Sequence, residues 1–311
     1  MPGSQSLVSV IAPVRNCERF VSAMIESVLS QTHEDFELIF VDDGSTDDTK
    51  SIISSFTDDR IQLICSSKCL GISQSRNYGF EISRGQFVSF LDADDLWTND
   101  KLKAQLSVLS QQKSASVAYS WVDLIDEHGT ALAGCGRCLF EGNVLDDLLL
   151  ENFLRCGSNL LVERSQVSKI GGFDITYSAA EDWEFALRLA THCQFALVPK
   201  PQVFYRIRSG SLSANVHRSE IAGQRLFDQY RTSYKSRNDF CHAVSNYYGY
   251  LIDRTIVGST TRMQRTLIAS RLLLNWLKLL PPSNWPKRLI IEKLRQIVFI
   301  NNTAPEQVQM S

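Results

Sequence analysis

Over the first 122 residues the apolar positions switch repeatedly between continuous runs and helical spacing. Leu7–Val14 (LVSVIAPV) is a short β-branched run closing around Pro13, and Glu18–Ser30 then places Phe20, Met24, Ile25, Val28 and Leu29 on one helical face. Phe36–Val41 is a second apolar run, followed by the polar turn Asp42–Thr46 and a helix over Asp47–Phe56 whose acidic first turn suits the positive end of its dipole. The unit recurs: strands at Ile61–Cys65, Gln86–Leu91 and Val117–Val122 alternate with helices at Ser73–Ser83 and Lys101–Gln111. Such alternation predicts an α/β fold, a Rossmann-like, mostly parallel sheet with flanking helices.

From about 123 to 180 the pattern loosens into glycine-rich, loop-like sequence that closes with Gly171-Gly172-Phe173-Asp174 before a helix at Glu181–His192. Residues 215–300 read as predominantly helical, broken by Pro281-Pro282 and Pro286. A chain of 311 residues can hold one large α/β domain, or a domain of roughly 200–230 residues plus a helical appendage.

In a parallel sheet, ligands gather outside the carboxyl ends of the strands. Those ends are acidic here: Val41 precedes Asp42-Asp43-Gly44-Ser45, and Leu91 precedes Asp92-Ala93-Asp94-Asp95. Five carboxylates at two strand ends repel one another unless a cation or a donor-rich ligand sits among them. Asp92-Ala93-Asp94 sets two carboxylates around a small residue, so one or both can reach a hard divalent cation, Mg²⁺ or Mn²⁺, that also takes diphosphate oxygens. The plainer readings stand beside these. Asp-Gly-Ser is turn and cap chemistry, an arginine such as Arg76 is most simply a surface residue, and Glu181-Asp182 at a helix start is most simply a cap.

PVRN at 13–16, VDDGSTDDT at 41–49, GISQSRNYG at 71–79, FLDADDLW at 90–97, GGFD at 171–174 and the pair Glu181-Asp182 resemble, in order and spacing, the successive motifs of family 2 glycosyltransferases. The resemblance covers roughly residues 7 to 213. It implies a GT-A fold over 1–214, with a nucleotide-sugar-binding half (1–122) and an acceptor-binding half (123–214), followed by a helical region over 215–311. It also implies a nucleotide-diphosphate-sugar donor, a divalent metal and inversion at the anomeric carbon.

Position by position, the resemblance gives Pro13, Val14, Arg15 and Asn16 to the nucleotide pocket, and Asp42 or Asp43 to the base or ribose. Gly71 and Arg76 fall where the family binds the donor, Asp94 becomes the direct metal ligand, and Asp92 binds ribose or metal-bound water. Asp182, next to Glu181, becomes the catalytic base; an alcohol acceptor needs one, being a poor nucleophile at neutral pH. Asp95 and Trp97 read as structural. In Tyr205-Arg206-Ile207-Arg208 the chain departs from the family, which often has histidine where Arg208 stands; an arginine cannot ligate metal but can neutralise diphosphate.

The expected activity is an inverting hexosyltransferase-type reaction from a UDP-sugar to an acceptor hydroxyl of a surface polysaccharide, lipopolysaccharide or glycolipid. The alternatives are a non-catalytic nucleotide-sugar-binding protein and a sugar nucleotidyltransferase. The latter needs a glycine-rich basic loop early in the chain, and Pro13-Val14-Arg15-Asn16-Cys17 is not one.

Composition narrows the setting. With 44% apolar and 21% charged residues the chain is ordinary globular sequence, and its mean hydropathy of −0.11 is too polar for a multi-spanning membrane protein. No secretory signal or apolar run of membrane-spanning length is read, so a cytoplasmic location is the expectation. The net charge of −2 hides an asymmetry: residues 251–300 carry nine Lys/Arg against Asp253 and Glu292, leaving −9 on the remainder. That disfavours nucleic-acid binding by the main domain. It leaves the basic-apolar stretch 262–300 as a peripheral membrane contact near a lipid-linked acceptor, a helical appendage on its own domain, or a subunit contact in a homo-oligomer. Cys135/Cys138 and Cys65/Cys69 would make a zinc site only by meeting in space, and free thiols are the expectation.

Overall fold

The computed structural model describes residues 6–66, 68–134, 137–208, 215–257, 262–280 and 285–299. They form two compact units, Met1–Leu145 with Phe153–Ile207, and Asp146–Asn152 with Arg208–Ser311. The sequence reading draws one break after 214; residues 146–152 group with the C-terminal unit.

The first unit opens with β1 (Val8–Val14), α1 (Val21–Leu29), β2 (Phe36–Asp42), α2 (Thr49–Ser55), β3 (Ile61–Cys65), α3 (Ile72–Ile82) and β4 (Phe87–Phe90). Every residue of β2 and β4 is buried, as a strand covered on both faces requires. β1 pairs in parallel with β2 on one side and β4 on the other, with Val14 beside Asp42 and Ile11 beside Phe90. This register brings the turns after all three strands to one edge of the sheet.

Beyond β4 come β5 (Leu96–Trp97), α4 (Lys101–Gln111), β6 (Ala115–Ile125) and β7 (Ala131–Gly134). α5 (Leu145–Leu150) lies across the division between the units, and β8 (Leu161–Glu163), α6 (Arg164–Ile170), α7 (Glu181–Ala190) and β9 (Gln194–Arg206) follow. The sheet order is β3-β2-β1-β4-β8-β6-β9-β5, with β7 on β6. β8 runs antiparallel to both β4 and β6, and β6 pairs with β9 in parallel. The parallel α/β reading therefore holds for the first half. The stretch 123–180, read as loop-like, contains two strands and two helices.

At the opposite end of β2 from its acidic turn, Glu37 fastens the sheet. It accepts from Ser9 Oγ at 2.6 Å, from the Arg84 backbone N–H at 2.6 Å and from the Arg84 guanidinium at 3.1 and 3.2 Å. Burial opposes its ionisation, but the Ser9 and Arg84 hydrogen bonds win and hold its carboxyl below the ordinary value.

The second unit is helical: α8 (Val216–Gln229), α9 (Arg237–Val257), α10 (Arg262–Leu279) and α11 (Lys287–Phe299). Asn215 caps α8 by accepting from the Arg218 N–H at 3.1 Å. Trp276 on α10 is fully buried and donates to Ser245 Oγ on α9 at 3.2 Å. Lys293 on α11 pairs with Asp253 on α9 at 2.5 Å. Among the described residues no helix is long and apolar enough to cross a membrane.

The Glu37 fastening has a pH signature. A carboxyl held low in the fold contributes stability above its unfolded pKa and loses it as pH falls. Glu37→Gln should cost about 1–2 kcal/mol in urea denaturation at neutral pH, with the difference narrowing below about pH 4. An equal loss at both pH values would assign the effect to shape instead of charge.

Candidate active site

The turn after β1 is locked to the turn after β2. Asn16 takes a left-handed φ of 51°, its N–H donates to Ser45 Oγ at 3.0 Å, and its Oδ1 accepts from the Thr46 N–H at 2.8 Å. Asp42 is buried and its oxygens accept from the Gly44 and Ser45 N–H groups at 3.2 Å. The local cap is thus what Asp42 makes in this turn. Asp43 accepts from the backbone N–H groups of Leu70 and Gly71, the latter at 3.0 Å, which ties the start of α3 to β2. Gly71 has φ +83°, a conformation that favours glycine where the chain turns into α3. Pro13 and Val14 are enclosed, whereas Arg15 is exposed and donates to Cys69 Sγ at 2.7 Å. Backbone of 13–16 and the Arg15 guanidinium are what this end offers a ligand. Cys135 lies outside the described residues, and among those described no group of three or more His, Cys, Asp or Glu could hold a metal alone.

At the end of β4 the arrangement is different. Arg76, on α3, is only 1% exposed, so the surface reading fails. Its Nη2 donates to Asp92 Oδ1 at 2.6 Å and its Nη1 to Glu181 Oε1 at 3.0 Å. Burial works against its charge, yet the Asp92 and Glu181 carboxylates more than offset this and hold its pKa above the ordinary value. The guanidinium lies 4.9 Å from the centroid of the Phe173 ring. Gly172-Phe173 is held there by Asn77, whose Oδ1 accepts from the Phe173 N–H at 2.7 Å and whose Nδ2 donates to the Phe173 carbonyl at 2.8 Å. Phe173 also stacks on Phe185 of α7 with centroids 4.1 Å apart. The GGFD motif is thereby a platform under Arg76. Gly157 closes over it: a Cβ there would lie 2.9 Å from Arg76 Nη2.

Arg76 thus brings together two sequence-predicted groups, Asp92 and Glu181, and Asp182 follows Glu181 in the first turn of α7. Ala180, just before them, sits in the left-handed region at φ 54°, a strained turn for a residue with a Cβ. Asp182 is half-buried and accepts from the Trp183 N–H at 2.8 Å. Burial, reinforced by the Glu181 charge and only partly opposed by Arg76, pushes its carboxyl up to about 7. A carboxyl in that range is matched to taking a proton near neutral pH.

Asp94 is half-buried in the turn, and its carbonyl accepts from Arg206 Nε at 2.7 Å. Asp95 is fully buried, accepting from Ser158 Oγ at 2.5 Å and from the Arg206 N–H at 3.0 Å. Burial and the neighbouring Asp94 and Asp92 charges push it well above the usual carboxylate range. Its role is structural, as a fastener of the turn to β9. Arg206 also donates to the Asp126 and Glu127 carbonyls at 3.0 and 3.2 Å, clamping the turn against the end of β6. Arg206, Ser158 and Gly157 have no distinctive sequence signal; only the quoted segment 205–208 passes through one of them. Arg208 opens the second unit, and the 209–214 stretch after it lies outside the described residues.

Asp92 and Asp94 offer hard oxygen donors at one strand end. Mg²⁺-type ions bind through one or two carboxylates plus substrate phosphates, so this set fits a cation shared with a diphosphate, not a closed protein cage.

A family model described as "Glycosyltransferase like family 2" matches residues 9–247. The chain belongs to this family. An Escherichia coli protein, UDP-Glc:alpha-D-GlcNAc-diphosphoundecaprenol beta-1,3-glucosyltransferase WfaP, is 32% identical over 210 residues, 67% of this chain and 80% of that one. WfgD of Escherichia coli, which carries the same activity in its name, is 30% identical over 216 residues, again 67% and 80% of the two chains. Among solved structures, S. aureus TarS 1–349 in complex with UDP-GlcNAc superposes with a TM-score of 0.59 at 17% identity, covering 94% of this chain and 81% of that one. At that identity the likeness concerns the fold, that of a GT-A glycosyltransferase.

In this glycosyltransferase the Arg76 bridge should dominate the stability of the site. Arg76→Met leaves Asp92 and Glu181 without their shared cation, and the expected loss is about 2–4 kcal/mol, with Arg76→Lys recovering part of it. Thermal unfolding checks this; an unchanged midpoint for Arg76→Met would show the bridge to be dispensable.

Proposed function

We propose that this glycosyltransferase moves a sugar from a UDP-sugar to a hydroxyl of a lipid-linked glycan acceptor, with inversion, and that Asp182 is its base. The observation that carries the reading is the placement of Asp182. It stands beside the Arg76-bridged pair Asp92 and Glu181, in surroundings that keep its carboxyl near neutrality. The names of WfaP and WfgD support the donor and acceptor classes, since both specify UDP-Glc and a diphosphoundecaprenol-linked sugar. A β-linkage made from an α-configured UDP-sugar is the product of one in-line displacement, which supports inversion. The TarS complex with UDP-GlcNAc supports a uridine nucleotide on this fold.

In this mechanism the acceptor oxygen attacks the anomeric carbon opposite the diphosphate. Asp182 takes the hydroxyl proton as the new C–O bond forms, and UDP departs as the bond to its β-phosphate oxygen breaks. Asp94, with Asp92, would hold a divalent Mn²⁺ or Mg²⁺, whose chemistry is to neutralise charge on the departing diphosphate. The backbone of 13–16 and Arg15 receive the nucleotide.

Asp182→Asn tests the base. It should retain UDP binding and lose sugar transfer by roughly 10²–10⁴-fold, while the parent's kcat/KM rises with pH through about 7 as Asp182 deprotonates. The stability sign is opposite to that of Glu37. A carboxyl raised from 3.8 to about 7 favours the fold only while protonated, so parent stability falls as pH rises through that window. Asp182→Asn should therefore be more stable than the parent above about pH 7, by roughly 1–3 kcal/mol, and equal to it below about pH 4. Transfer at the parental rate would remove Asp182 as base. UDP binding without turnover of any donor and acceptor would favour a nucleotide-sugar-binding protein.

The membrane contact rests on α10 and α11. On α10, Met263, Leu267, Arg271, Leu274 and Lys278 are exposed at spacings that fall on one stripe, opposite buried Leu272, Trp276 and Leu280. On α11, exposed Ile291 and Leu294 lie among Lys287, Arg288 and Arg295. Apolar side chains interleaved with cations complement an anionic lipid surface. Truncating α10 would strip Trp276 from the unit's core, so substitutions on the outward stripe are the cleaner test. Leu267→Ser with Leu274→Ser and Lys278→Glu should reduce co-sedimentation with phosphatidylglycerol vesicles by at least roughly 10-fold. Equal sedimentation of parent and variant would sink the contact.

A further inference from the structure

Adjoining the acidic turn is a buried polar cluster that sugar transfer does not use. Lys101, the first residue of α4, is 0% exposed. Its Nζ donates to Gln105 Oε1 at 2.9 Å and to Ser89 Oγ at 3.3 Å, and it lies 3.9 Å from the centroid of the Trp97 ring. Among the described residues no carboxylate pairs with it. Each of its three neighbours in turn holds one carbonyl of a single tripeptide. Trp97 Nε1 donates to the Ser158 carbonyl at 2.9 Å, Gln105 Nε2 to the Asn159 carbonyl at 2.9 Å, and Ser89 Oγ to the Leu160 carbonyl at 2.6 Å. Ser158 Oγ then accepts from the Asp92 N–H at 3.1 Å and donates to Asp95 at 2.5 Å.

We propose that Lys101 is a positioning residue for the donor site: through Trp97, Gln105 and Ser89 it fixes the 158–160 segment, and through Ser158 the Asp92–Asp95 turn. In its charged form Lys101 has donors and no acceptor, so it then sets the direction of every hydrogen bond it enters. The Gln105 oxygen must face Lys101, which turns the amide nitrogen toward Asn159. Ser89 must accept from Lys101, which frees its own proton for Leu160. An apolar side chain would fill the same space without dictating either orientation. Burial holds the Lys101 amine down to about 7, so the site keeps a desolvated amine at a cost that packing alone does not require.

The proposal rests on the reading of the Asp92–Asp95 turn as the donor site, and the test separates the two. UDP binding in the presence of Mn²⁺ is measured by calorimetry, beside thermal unfolding, for the parent, Lys101→Met, Trp97→Phe, the double variant and Asp94→Ala. Trp97→Phe keeps the ring against Lys101 and removes only the N–H to Ser158. Lys101→Met and Trp97→Phe should each remain folded and weaken UDP binding by roughly 10-fold, and the double variant should bind no worse than the weaker single one. Parental UDP affinity in either folded single variant, with Asp94→Ala weakened, would overturn the role of Lys101 and leave the donor site standing. Parental affinity in Asp94→Ala would overturn the donor reading itself. Should Lys101→Met not fold, Trp97→Phe decides alone.

Discussion

One buried guanidinium organises this catalytic unit. Arg76 joins Asp92, at the end of β4, to Glu181, at the start of α7, across a sequence separation of about a hundred residues. Without a cation between them, two carboxylates from different elements would separate and take solvent, and α7 would lose its angle to the sheet. The surrounding architecture serves that contact. Phe173 supplies an aromatic floor, Asn77 holds Phe173 in place, and Gly157 leaves room for the guanidinium where any Cβ would intrude. The GGFD motif and the glycine before Ser158 therefore shape the environment of an arginine.

Much of the fold was legible because β1, β2 and β4 are buried on both faces and must read as continuous apolar runs, while the helices between them expose one face. The second half did not read so cleanly, for definite reasons. β8 is three residues long and inserts antiparallel between β4 and β6, so no period can develop. β9 is interrupted by Pro199 and Pro201, which a central strand does not tolerate; its pairing with β6 shifts register between Ser120 and Val122, where the prolines are accommodated.

The site was legible as a set of carboxylates but not as a division of labour. Asp42 and Asp43 looked equivalent to Asp92 and Asp94, all four following a strand. Only the backbone paths after β2 decide that Asp42 caps its own turn and Asp43 fastens the start of α3. Arg76 read as a surface residue because the sequence of α3 is mostly polar, and its apolar surroundings come from Phe173 and α7, far along the chain. Arg206 and Ser158 carried no signal, since one arginine or one serine near a strand is ordinary until its partners are known.

The protonation of Asp182 follows from how Arg76 is shared. Asp92 and Glu181 take its two short hydrogen bonds, and Asp182 receives only the attraction that remains at longer range. Fully ionised, these four groups sum to −2, and burial makes that surplus costly. The carboxyl with the weakest claim on the cation is the one that keeps its proton toward neutrality. Had Arg76 faced Asp182 directly, the charge count would be identical, but Asp182 would be an ion pair with little affinity for a proton. A carboxyl poised near neutrality and an anchored α7 thus arise from the same arginine, which holds the helix through Glu181, the residue beside that carboxyl.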